Sequence, residues 1–324
     1  MKLKFKLIPA SLFLAMFITL NIHAQPVKKH GNLSVKGIQL TDEHGNAVVL
    51  NGVSYGWSNW WSEFYNEKSV EWLAKDWKIS VIRAAMGIEP AGGYLEKPQW
   101  TKEKIETVIK AAIKNNIYVI IDWHSHNIRL PEAKEFFADM ATKYGKNPHV
   151  IYELYNEPVK DSWAQVKDYS VELIKTIRAI DPDNIILVGS PHWDQDIHLA
   201  ADEPITGYSN IIYTCHFYAG THGKFLRDRC DYAMSKGIPV FISESAGMEA
   251  SGDGPINYAE WQNWIDWCAE KKISLVTWSV SSKRETCSMI KQGVSPEGNW
   301  KMEDLQESGI KTRELLRKQA ESQK

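Results

Sequence analysis

Eight short runs rich in β-branched residues recur along this chain: Val48–Val53, Val81–Met86, Val119–Trp123, Ile151–Glu157, Ile185–Ser190, Ile211–Tyr218, Val240–Glu244 and Leu275–Val280. Their starts lie 26 to 38 residues apart, the length of one strand, one helix and two loops. Between them run amphipathic stretches such as Thr101–Asn116 and Asp161–Ile180, the latter with Val166, Tyr169, Leu173 and Ile177 at helical spacing. Strands that are apolar almost throughout need cover on both faces, so this alternation implies a parallel sheet. Eight such units predict an α/β fold of one domain, the (β/α)8 or TIM barrel. A doubly wound open sheet is the other arrangement to weigh. It carries a glycine-rich phosphate turn after its first strand, whereas Val48–Val53 leads into Ser54-Tyr55-Gly56-Trp57.

A length of 324 residues suits one barrel, and 44% hydrophobic with 24% charged residues excludes low-complexity and wholly disordered classes. A net charge of −2 leaves no basic excess to attract a polyanion, so nucleic acid is not expected as a partner. The basic start Met1–Lys6, the apolar run Leu7–Ile22 and the small Ala24 read as a secretory signal. The expected organisation is a signal at 1–24, a polar linker at 25–32 and a catalytic domain at 33–324, with a charged helix from Glu303 to Lys318 closing the barrel. The mature chain is then secreted or periplasmic, free of the membrane and monomeric. In an oxidising compartment Cys215, Cys230, Cys268 and Cys287 allow three disulfide pairings, with buried free thiols equally compatible.

Chemistry in such barrels gathers where strands end. Those positions hold Trp57 and Trp60, Arg83, Asp122-Trp123-His124, Asn156-Glu157-Pro158, His192-Trp193, His216 and Tyr218, Glu244, and Trp278. Glu157 and Glu244 stand 87 residues apart, three strand-helix repeats, so they face one another across the mouth. Glycoside hydrolysis requires such a pair: one carboxyl protonates the leaving oxygen while the other attacks the anomeric carbon or activates water. The bland alternative is that each carboxylate merely forms a salt bridge, with Arg83 the obvious partner. Fourteen tryptophans add flat apolar faces that suit sugar rings, although about half are expected to fill the core.

Four segments together resemble glycoside hydrolase family 5, its bacterial cellulase subfamily of endo-β-1,4-glucanases: Ile151–Pro158, Val240–Glu244, Ile120–His124 and His216–Gly223. The resemblance runs from about Val35 to Trp300 and implies a retaining (β/α)8 hydrolase that uses no cofactor and no metal and takes a β-glucan polysaccharide or oligosaccharide. It implies Glu157 as acid/base, with a pKa raised by its setting, and Glu244 as nucleophile. Arg83 and Tyr218 resemble donors to Glu244, Asn156 the donor to the sugar 2-hydroxyl, and His124 and His216 residues that orient the ring. Trp278 resembles the floor under the reacting sugar and Trp60 a platform for its neighbour. Lys283 and Glu285 match a pair that binds hydroxyls beyond the cleavage point, and as a charged loop they fit a solvated surface equally well. Two positions depart from the pattern: Glu244 is followed by Ser245-Ala246-Gly247, and Gly87 stands where relatives carry a tyrosine.

Three readings compete with the cellulase. Another β-glycanase of the same family would cleave mixed-linkage glucan, xyloglucan or mannan. A non-catalytic carbohydrate-binding barrel would keep the aromatic platforms without needing Asn156 beside Glu157. A metal-dependent hydrolase would use His124-Ser125-His126 with His192 and His216, yet it wants metal-binding residues where strands one and eight offer Trp57 and Trp278.

Overall fold

The computed structural model describes residues 25–322, and the expected signal at 1–24 lies outside the described residues. A hairpin of β1 (Ser34–Lys36) and β2 (Gln39–Thr41) precedes eight parallel strands: β3 (Asn51–Tyr55), β4 (Val81–Gly87), β5 (Tyr118–His124), β6 (Val150–Glu153), β7 (Ile186–Val188), β8 (Ile211–Tyr218), β9 (Val240–Ala246) and β10 (Leu275–Val280). The eight close in chain order, with β10 returning to β3. This is the expected (β/α)8 barrel in a single domain.

Two strands differ most in extent from the apolar runs that announced them. β3 begins only at Asn51, because Val48 pairs with the hairpin through its N–H to Leu40 O at 2.8 Å, and Val48 and Leu50 pack into the barrel floor. β6 stops at Glu153 rather than Glu157. Beyond it the chain curls over the rim of β5, the Asn156 N–H donating to Trp123 O at 3.1 Å and the Glu157 N–H to Ser125 O at 3.3 Å. Pro158 has no N–H with which to continue a ladder. Glu157 therefore sits above the barrel instead of within its wall.

The stretch expected as a linker is part of the fold. Pro26–His30 forms a short helix with Pro26 and Val27 buried, and the Val27 N–H donates to Asn116 O at 3.1 Å. Val27 joins Leu33, Leu40, Leu50, Val81 and Ile120 in a cluster that seals the N-terminal end of the barrel. The hairpin that carries Leu40 turns through Gly37, whose φ of 60° is open to glycine at little cost.

Outside the barrel, the helix Trp163–Arg178 illustrates how sequence sets an element. Ser162 and Gln165 form a reciprocal capping box at its start, and Val166, Tyr169, Leu173 and Ile177 are all buried against the strands. The charged closing helix runs Glu307–Ser322, four residues later than expected at each end. Arg313 holds Asp76 with its Nε at 2.6 Å, tying this helix to the segment after the first barrel strand. Among the described residues no helix is long and apolar enough to cross a membrane.

Inside the barrel the two-residue period of each strand stacks its inward side chains in layers. On β5 the sequence Ile120, Asp122, His124 climbs from the apolar floor through a charged layer to the rim. On β8 Ile212, Thr214, His216 and Tyr218 do the same. β9 breaks the rule usefully: its register against β8 slips between Thr214 and His216, so that His216 pairs with Glu244. This irregularity lets consecutive residues, Ser243 and Glu244, both reach inward groups.

Candidate active site

The charged layer centres on Arg83, which is fully buried. Its Nε donates to Glu153 at 2.7 Å, its Nη1 to Glu244 at 2.9 Å, and its Nη2 to Asn156 Oδ1 at 2.6 Å, while Asp122 lies 3.0 Å from Nη2. A guanidinium supplies this fan of donors in one rigid plane, which no other side chain can do. Burial raises the Glu153 carboxyl, but the charges and hydrogen bonds of Arg83 and His216 together outweigh it and hold the group at about 2. Asp122 is pushed well above the carboxylate range, chiefly by burial, and accepts at 2.6 Å from or donates to His124 Nδ1.

Above this layer stand the two glutamates. A carboxylate oxygen of Glu157, one of Glu244 and a ring nitrogen of His216 all lie within 4.8 Å of one another. Glu244 accepts from the Tyr218 hydroxyl at 2.7 Å as well as from Arg83, a set of bonds that suits an ionised carboxylate. Glu157 is gripped on both oxygens, by His216 Nδ1 on Oε1 at 3.0 Å and by His126 Nε2 on Oε2 at 3.2 Å.

The expected upward shift of Glu157 is not what this arrangement produces. Burial does push the carboxyl up, but the hydrogen bonds and charge of His126 and His216 overcome it and hold it below the usual range. The complementary proton sits on His216. Burial alone would lower this imidazole, yet Asp194, Glu153 and Glu157 around it drive it well above its ordinary value. Glu157 thus stands as an ionised carboxylate against a charged His216.

Aromatic rings shape the cleft around the pair. Trp278 lies parallel to His124, ring centres 5.3 Å apart, and the peptide that joins it to Ser279 is cis. Trp57 stands edge-on to His124 at 4.2 Å and tilted against Trp60 at 5.1 Å. Trp60 is 52% exposed, as a platform for a ligand would be. On the far side Lys283 and Glu285 form an ion pair that lines the same cleft, together with Ser251, Gly252 and Cys287. Lys283 and Glu285 thus line the cleft wall, with about half of the Lys283 side chain in solvent.

The residues assigned a part in glycoside cleavage gather here, whereas Trp123 packs outward on Tyr94 and Phe136, and His192 and Trp193 stand outside the cleft lining. Asn156, Glu157, His124, Tyr218, Glu244, Trp278, Trp60, Lys283 and Glu285 line the cleft, and Arg83 and His216 lie directly beneath it. The ring missing at Gly87 leaves no gap. A Cβ there would lie 2.2 Å from Asn59 Oδ1 and 3.1 Å from Trp57 Cε3, so Trp57 occupies the space beside it. At the other departure, a Cβ on Gly247 would lie 2.2 Å from the Trp261 ring, which requires glycine at that place. Sequence reasoning missed Glu153, His126, Ser243 and Asp194. Glu153 left a signal, since a charge inside an otherwise apolar strand needs a buried partner. His126 was considered only as half of a metal pair, and its imidazole instead pairs with Glu157, as His124 does with Asp122.

A parallel barrel with two facing carboxylates at its C-terminal rim, one held by Arg and Tyr and the other by imidazoles, defines a glycoside hydrolase. Residues 41–284 match the family described as Cellulase (glycosyl hydrolase family 5). The chain belongs to that family. It is 46% identical over 287 residues to an endoglucanase of Clostridium saccharobutylicum, covering 86% of this chain and 64% of that protein. It is 43% identical over 303 residues to endoglucanase N of Pectobacterium atrosepticum, covering 91% and 68%. The chain thus spans about two thirds of the length of these relatives. Among solved structures, one from Cytophaga hutchinsonii superposes with a TM-score of 0.90 at 44% identity, covering 92% of this chain and 98% of that one. The catalytic domain of Thermobifida fusca endoglucanase Cel5A, solved as a variant in complex with cellotetraose, superposes with a TM-score of 0.86 at 33% identity, covering 91% and 100%.

Proposed function

We propose that this chain is a retaining endo-β-1,4-glucanase, with Glu244 as nucleophile and Glu157 as acid/base. The observation that carries the reading is the approach of the two carboxylates to within 4.8 Å across an open cleft. Retaining hydrolases hold their carboxyl groups about 5–5.5 Å apart, whereas inverting ones leave roughly 6.5–9.5 Å for a water. Glu244 attacks the anomeric carbon while Glu157, protonated beforehand, delivers its proton to the departing oxygen. Glu157 then takes a proton from water as that water releases the covalent intermediate.

The neighbours have matching roles. Asn156 gives its oxygen to Arg83, which leaves its amide N–H groups to donate to the sugar 2-hydroxyl. Tyr218 and Arg83 hold Glu244 in line for attack, and Trp278 offers the face on which the reacting sugar rests. The endo mode follows from the loops. Residues 89–100 fold back on the barrel, with Tyr94 buried against Trp123, and leave the cleft uncapped, while Ser251 and Gly252 form a side wall. The named activity of the endoglucanase relatives and the cellotetraose complex of one of them support β-1,4-glucan as the substrate. Export is part of the same proposal, supported by the basic and apolar pattern of residues 1–24, since a polymer that cannot enter the cell must be met outside the cytoplasm.

The test is reducing-end release from soluble carboxymethyl cellulose with the product anomer followed by NMR. Initial β-anomer, lost in Glu244→Gln, is expected; initial α-anomer would sink the retaining mechanism. Glu157→Ala should slow substrates with sugar leaving groups by about 10²–10⁴-fold and activated aryl glycosides far less. A non-catalytic binder would release no reducing ends at all.

A further inference from the structure

His126 is the second imidazole on Glu157, and the one that faces solvent. It lies on the outer oxygen of Glu157, Nε2 to Oε2 at 3.2 Å, with its side chain 39% exposed, while His216 on the inner oxygen is 1% exposed. The inner imidazole is enclosed: its Nε2 lies 2.9 Å from Ser243 Oγ, 3.5 Å from Asp194 and 3.7 Å from Glu153. Of the two imidazoles on Glu157, His126 is therefore the one that can exchange its proton with solvent. The position of His126 is built rather than incidental. Its ring stands edge-on to Trp57 at 5.5 Å, and the preceding residue, Ser125, ties this loop to Glu157 by accepting its N–H at 3.3 Å.

We propose that His126 is a positioning residue for Glu157, an imidazole that stores the proton of the acid and keeps the protonation step available up to neutral pH. The inference rests on the acid role proposed for Glu157. The step balances within the pair. A proton passes from His126 Nε2 to Glu157 Oε2, leaving a neutral imidazole, and Glu157 gives it to the sugar oxygen as the C–O bond breaks. In the second half the attacking water loses a proton to Glu157, which returns it to Nε2.

The groups facing His126 favour a stored proton. Glu157 comes from the loop after β6 and Glu244 from β9, while Glu89 follows β4 with Arg129 3.8 Å behind it. His124 stands two residues back on β5. Burial lowers the His126 imidazole, but the three carboxylates outweigh it and raise the group above its usual value. While one proton is shared by Glu157 and His126, the fraction of protonated carboxyl stays constant as pH rises until the imidazole is exhausted. Without His126 that fraction falls about tenfold per pH unit from the carboxyl's own pKa upward. The alkaline limb therefore starts lower, and the rate at the acid end is kept or raised.

The experiment compares pH profiles of kcat/KM for the wild type, His126→Gln and His126→Leu. One substrate is a cello-oligosaccharide, which needs the acid, and the other a dinitrophenyl β-cellobioside, which leaves without it. On the oligosaccharide both variants should lose the alkaline limb by about one pH unit or more toward acid, with no movement on the aryl substrate. No shift on the oligosaccharide, or equal shifts on both, overturns the proposal. Glutamine retains a donor but cannot titrate, so a wild-type limb in His126→Gln also overturns it. NMR titration of the intact chain gives a readout without turnover: His126 should titrate above 6.5 and fall toward it in Glu157→Gln. An unchanged titration overturns the pairing, whereas a chain with normal titration and no action on β-glucan refutes the glucanase reading and leaves the pairing standing.

Discussion

Arg83 Nη1 donates to Glu244 Oε2 at 2.9 Å, and through that bond the proposed nucleophile is attached to the charged centre of the barrel. The same guanidinium neutralises Glu153 and approaches Asp122, both fully buried. Arg83→Met would leave those carboxylates without their cation and should destabilise the fold by about 3–5 kcal/mol. Arg83→Lys keeps the charge but cannot reach Glu153, Glu244 and Asn156 together. Its turnover should fall by about 10²-fold through misplacement of Glu244. Urea denaturation and kcat check the two, and wild-type turnover in Arg83→Lys would contradict this account.

Gly87→Ala forces a methyl into Asn59 and against Trp57, at 2.2 Å and 3.1 Å. We expect a loss of about 1–3 kcal/mol in stability, as overpacking gives elsewhere. Asn59→Gly made in the same chain should recover part of it, because the worst contact is with the Asn59 side chain. A double-mutant cycle measures the coupling, and strictly additive effects would rule out the contact.

His222 Nδ1 accepts the Tyr218 N–H at 2.9 Å and must be unprotonated there. Burial holds this imidazole down to about 4. The unfolded chain binds the proton near 6.5, so between pH 6.5 and 4 the unfolded state takes up more protons and stability falls as pH falls. The contribution is roughly 3 kcal/mol across that window. His222→Asn keeps an acceptor without the titration and should flatten the profile. Denaturation at several pH values from 4 to 7 checks it, with parallel profiles as the failing result.

All four cysteines are free and buried, which settles the open choice among pairings in favour of thiols. Burial pushes Cys287 up to about 12 and Cys215 well above the thiol range, so neither offers a thiolate near neutral pH. A thiol reagent should find almost no reactive group in the native chain and four after unfolding, with the melting temperature indifferent to reductant. A count of two on unfolding would mean a disulfide.

Much of the fold was legible because its signals are local. The β-branched runs marked all eight barrel strands, and Val166, Tyr169, Leu173 and Ile177 marked the buried face of their helix, since burial of one face imposes a period that the chain must write out. Glu157 and Glu244 were legible for a similar reason: they mark the rim at two strands three repeats apart, Glu157 just beyond β6 and Glu244 near the end of β9. What could not be read locally was contact. The floor helix at Pro26–His30 has too few residues to show a period, and only Asn116 and the hairpin give it a partner.

The sequence alone determined the barrel, its strand order and which side chains reach its rim, because those follow from spacing along one chain. The tertiary structure decided who touches whom there. The slip of β9 against β8 brings Ser243 and Glu244 inward together, and Trp57 fills the place beside Gly87. Two imidazoles draw the proton off Glu157 where burial alone would have left it protonated. Each of these depends on distances between residues far apart in sequence, and electrostatics in a buried site change within a few ångströms, a scale that strand and helix periods do not encode.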